Sequence, residues 1–105
     1  MALVVEIFAI GSIDASGNLI GNALNVTAVT QFSTGIYDID LESTAGPEEL
    51  STFITARSGA VRVTGQWEPI NSGATVRVFL FDDSGANSPV DSDFDFVTYR
   101  VTDGN

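Results

Sequence analysis

The chain has 105 residues, with 14 acidic and four basic side chains for a net charge of −10; that length makes one domain, residues 1–105, able to bury a core without help. Cysteine and histidine are both absent, which excludes disulfides, thiolate or imidazole metal sites, and Ser-His-Asp or Cys-His nucleophiles within one chain. The negative charge repels phosphate backbones and anionic headgroups, so nucleic acid and membrane surfaces are poor partners.

Ala2–Ile10 is an apolar run interrupted only by Glu6. It lacks a basic leader and reads as a strand buried on much of both faces, not as a signal peptide. No apolar stretch is long enough for a transmembrane helix, and no membrane insertion is expected. Gly11–Asn18 (GSIDASGN) reads as a turn, with Gly17 or Asn18 suited to positive φ. Leu19–Gly21 is a short return, and Leu24–Gln31 is strand-like.

Ile36–Glu42 (IYDIDLE) alternates cleanly. Tyr37, Ile39 and Leu41 fall on one face, with Asp38, Asp40 and Glu42 on the other, as in a strand with one wet side. Pro47–Leu50 suits a single helical turn. Ser51–Arg57 is a strand, Ser58-Gly59 reads as a two-residue hairpin loop, and Ala60–Trp67 alternates again. The turn signals separate about seven to nine short strands, which predicts an all-β fold, an antiparallel β-sandwich of jelly-roll-like type.

The longest strand signals flank a polar loop at 82–93. Val76, Val78 and Leu80 precede it; Phe94, Phe96, Val97, Tyr99 and Val101 follow it. Paired as one hairpin with Phe79 opposite Phe96, the two segments place Arg77 across from Thr98. One face then carries phenylalanines, and the other carries Val76, Val78, Leu80, Val97, Tyr99 and Val101. A hairpin apolar on both faces needs a second cover: another subunit, which makes this aliphatic face the expected oligomer interface, or, in the competing reading, loops and neighbouring strands of the same chain around a central hairpin.

Four pieces in chain order resemble a β-rich domain of phage tail fibres and related virion or cell-surface appendages. They are Gly11-Ser12-Ile13-Asp14-Ala15-Ser16-Gly17, Thr34-Gly35-Ile36-Tyr37-Asp38-Ile39-Asp40-Leu41, Val76 through Gly85 (VRVFLFDDSG), and Asp91-Ser92-Asp93-Phe94-Asp95-Phe96. The resemblance implies a homotrimeric, non-enzymatic structural or attachment module. It would project a surface for host or glycan contact, located in a virion or extracellular appendage.

Two kinds of site follow from residue type. Trp67, Tyr37 and Tyr99 offer aromatic faces for a sugar ring; the competing reading places them in core or interface. Asp82, Asp83, Asp91 and Asp93 flank one loop with oxygen ligands of the type Ca²⁺ takes; the competing reading makes them solvated turn residues and backbone caps. No other cofactor is expected. A second functional reading is a small free-standing lectin-like protein, Ca²⁺-assisted. Paired carboxylates such as Asp38 and Asp40 recur, but no spacing places a pair in a cleft, and no enzyme is expected.

Overall fold

A computed structural model describes residues 2–57, 62–83 and 88–103. The described residues form strands β1 (Leu3–Ile13), β2 (Val26–Ser33), β3 (Ile36–Leu41), β4 (Leu50–Ala56), β5 (Val63–Ile70), β6 (Thr75–Asp82), β7 (Ser88–Pro89) and β8 (Phe94–Asp103). Single 3-10 turns lie at Pro47–Glu49 and Asn71–Gly73. One sheet has the order β1-β8-β4; the other has the order β2-β3-β6-β5, with β7 paired to β6. Each strand pair is antiparallel, so the expected sandwich is the observed architecture.

The alternation read from sequence decides which side chains enter the space between the sheets. Tyr37, Ile39 and Leu41 of β3 and Val76, Val78 and Leu80 of β6 project from one sheet. Ala9 and Ile13 of β1 and Phe94 and Phe96 of β8 meet them from the other. The Tyr37 and Phe94 rings touch across the interior with centroids 5.1 Å apart at 58°. Full burial stabilises each large side chain by roughly 1.5–3 kcal/mol, so this layer is the main source of cohesion.

The long hairpin expected near the C-terminus does not form. Phe79 of β6 lies between Ile36 of β3 and Gln66 of β5, so both edges of β6 are occupied. β8 runs instead in the opposite sheet, flanked by β1 and β4. Val76, Val78 and Leu80 therefore face Phe94 and Phe96 across the core; they do not share a sheet face with Val97, Tyr99 and Val101. Parity within each strand was read correctly. Which strands are neighbours is not contained in parity.

Two further expectations shift. Gly11–Ile13 continue β1, and the turn begins at Asp14. There Gly17 (φ +90°) donates to the Asp14 carbonyl, and the Asp14 carboxylate accepts from the amides of Ser16 and Asn18 at 2.9 Å. Ser58-Gly59 lies outside the described residues, and β4 and β5, on either side of it, belong to different sheets. At the β2–β3 turn, Gly35 adopts φ +72°, and a Cβ there would sit 2.7 Å from the Leu80 carbonyl oxygen and 2.8 Å from the Val90 nitrogen. Only glycine admits both the left-handed backbone and that approach.

Candidate functional site

β1 is bent by a bulge. Its register against β8 shifts between Ile7 and Ala9, leaving Phe8 as the extra residue. On the N-terminal side of the bulge Leu3, Val5 and Ile7 share the outer face with Asp103, Val101 and Tyr99 of β8. β4 pairs with β8 only as far as Leu50, opposite Arg100. Beyond that point β1 and β8 continue as a two-stranded ribbon, along a molecule 46 Å in its longest dimension and 26 by 23 Å across.

The outer side of this ribbon is apolar, and its other side mixes Val4 with Thr102, Glu6 and Arg100. Leu3 is 68 % exposed, Val5 60 %, Ile7 52 %, and Val4, pointing the other way, 46 %. The run Ala2–Ile10, read as buried on much of both faces, is thus largely in water. Glu6 is the ribbon's acidic residue on the Val4 side. It lies 3.6 Å from Arg100, which also pairs with Glu49 at 3.1 Å and sits 5.8 Å from the Phe8 ring centroid. Arg100 therefore bridges Glu6 of the ribbon to Glu49 of the turn that precedes β4.

The outer face continues past the bulge. Ile10, Val97 and Phe53 follow, Phe53 lying edge-on to Tyr99 with centroids 5.8 Å apart. Beside Phe53 is an open groove of about 460 Å³, lined by Ile10, Asn22, Thr55, Arg57, Asp95 and Val97 among others. Arg57 donates to Asp95 at 3.0 Å, and the Ser12 hydroxyl donates to the other Asp95 oxygen at 2.5 Å. The Ser12 hydrogen bond, followed by Arg57, holds the Asp95 carboxyl below the ordinary aspartate value. The groove thus joins an exposed aromatic ring to a fixed ion pair.

The residues expected to bind a sugar are not assembled. Tyr37 is fully buried, its hydroxyl donating to the Ala15 carbonyl at 2.7 Å. Burial, and after it the charge of Asp91, pushes its pKa up to about 12. Trp67 packs against the core from β5, whereas Tyr99 faces outward from the opposite sheet. Of the three aromatics, only Tyr99 is on an outer surface near a groove.

The acidic loop residues are likewise dispersed. Asp91 accepts from the Gly35 amide and the Gln31 side chain, both at 2.7 Å. Asp93 accepts from the Ala15 amide at 2.8 Å, and Asp83 lies 3.5 Å from Arg62. Asp82 stands in β6 opposite Val63 and Ser88. Among the described residues no three acidic groups converge as metal ligands. Asp91 and Asp93 act as clamps that fasten the approach to β8 onto the two turns facing it.

The expected oligomer interface divides in two. Val76, Val78 and Leu80 have no exposed surface and belong to the chain's own core. Val97, Tyr99 and Val101 are part of the outward face, beside Leu3, Val5, Ile7, Ile10 and Phe53. The β1 residues were missed because a run apolar at every position but Glu6 reads as an interior strand; the signal was there, but its placement at a sheet edge was not. Asp38 and Asp40 also do separate structural work, Asp38 binding Arg77 through two bonds of 2.7 and 3.0 Å and Asp40 accepting from Thr75 at 2.9 Å. No protein-family model, curated protein or solved structure matches the chain.

Proposed function

We propose that this chain is a structural or attachment module that works as an assembly of copies of itself, joined through the β1/β8 ribbon. The carrying observation is the ribbon's composition: Leu3, Val4, Val5 and Ile7, on two opposite faces, are each about half exposed or more. Leu3, Val5 and Ile7 form one contiguous apolar row on the outer face, the kind of exposed patch that on a soluble monomer is often functional. A two-stranded ribbon is also marginal by itself in water. A chain of net charge −10 repels its copies least where a contact is made by uncharged side chains, and the row Leu3, Val5 and Ile7 is such a place.

The resemblance to appendage domains supports placing the module in a virion or cell-surface appendage; the trimer it implies and a two-fold pair are told apart by the mass of the assembly. The groove beside Phe53 supports glycan contact as its attachment role, since an aromatic ring covers a sugar's apolar face and Arg57 and Asp95 suit its hydroxyls. Sedimentation velocity across micromolar concentrations tests the assembly. Reversible association that strengthens with salt, as charge repulsion is screened, is the expected result; a monomer at every concentration refutes it. A glycan array compared with Phe53→Ala tests the attachment role, which fails if binding is absent or unchanged.

A further inference from the structure

The manner of assembly is legible in the free edge of β1. Past the bulge that edge is occupied: Ile10 exchanges backbone bonds with Leu24, Ile20 donates to the Ser12 carbonyl, and the Asn25 side chain donates to the Phe8 carbonyl. From Leu3 to Ile7, among the described residues, no strand lies beside it. Soluble proteins blunt such edges with outward charges, proline or bulges. Here the outer row is Leu3, Val5 and Ile7, the bulge comes only afterwards, and Glu6 faces the other way beside Arg100.

We propose that the occupant is the same segment of a second copy. Resting on the reading that the chain assembles with itself, two β1 edges pair antiparallel about a two-fold axis at Val5. Val5 then faces Val5 of the partner, Leu3 faces the partner's Ile7, and Val4 faces the partner's Glu6. Side-chain parity selects this register. Moving the axis by half a residue sets outer-row side chains against inner-row ones. Moving it one residue on sets Glu6 against its own copy, where like charges repel, and moving it one residue back shortens the apolar overlap.

Alternate residues of an edge direct both backbone groups outward, so the pairing closes roughly four to six hydrogen bonds. The product is one continuous sheet of six strands, β4-β8-β1 joined to β1-β8-β4, with the Phe53 groove of each copy left open on the same face. The contact is isologous and closed, which gives dimers and not filaments.

The test is mass by light scattering and sedimentation on the full chain and three sets of variants, all at side chains at least half exposed. The unmodified chain is expected to be a dimer. Val5→Lys, which puts two ammonium groups against each other at the axis, weakens it at least ~10-fold. Leu3→Lys and Ile7→Glu each weaken it alone, whereas the double variant, at unchanged net charge, recovers most of the loss because each new cation meets a new anion on the partner. Amide exchange at Leu3–Ile7 slows with concentration in the same order, and thermal melting of dilute samples shows that each variant folds. A trimer, or a dimer indifferent to Val5→Lys or not rescued by the double variant, overturns the edge pairing and leaves the assembling module standing. A monomer overturns both.

Discussion

Replacing Thr98 by valine keeps the shape of the side chain and removes its hydroxyl. Thr98 is fully buried, Thr52 is 7 % exposed, and their hydroxyls lie 2.8 Å apart where β4 and β8 pair directly. The variant leaves the Thr52 hydroxyl buried and unpaired, at a cost of about 1–3 kcal/mol. Thr52→Val costs a similar amount for the same reason. The double variant replaces both partners by apolar groups of the same shape and is expected near neutral, so the two changes couple by at least ~1 kcal/mol. For a chain of this size each kcal/mol shifts the melting temperature by about 4–8 °C. Urea unfolding of the four proteins, at one fixed concentration because assembly raises apparent stability, measures the cycle. If the two single losses simply add, or if Thr98→Val is neutral, Thr52 and Thr98 are not partners and the β4–β8 register is wrong.

Gly35→Ala forces a Cβ to within 2.7 Å of the Leu80 carbonyl oxygen at a positive φ and is expected to cost roughly 2–3 kcal/mol in chemical denaturation, more than the usual glycine-to-alanine difference. Stability falls as pH rises from 10.0 towards about 12, because the unfolded chain releases the Tyr37 proton near the lower value and the folded chain holds it to the higher; Tyr37→Phe flattens that limb of the stability–pH curve. Asp38→Asn weakens the two-bond contact to Arg77, a pair with side chains 16 % and 23 % exposed, and releases the guanidinium held 4.2 Å above the Phe32 ring. A loss of about 1 kcal/mol is expected, larger than for a solvent-exposed pair, and it is read as a lowered urea midpoint.

How much of this molecule its sequence settled follows from what side-chain periodicity can carry. Alternation in IYDIDLE and in Val76–Leu80 established strands and their inward faces, and Asp14 and Gly17 marked a turn that forms as local backbone chemistry requires. Those are properties of a few consecutive residues. Whether β6 and β8 are neighbours in one sheet or opposite each other across two is a long-range matter. Both arrangements keep the alternation within each strand, and only the occupation of both β6 edges by β3 and β5 decides between them. The same holds for the surface. Nothing local distinguishes an apolar strand in the middle of a sheet from one at its rim, so LVVEIFAI read as interior. The tertiary structure sets it at an edge because β1 pairs with β8 on one side, and among the described residues no strand lies along its other side from Leu3 to Ile7.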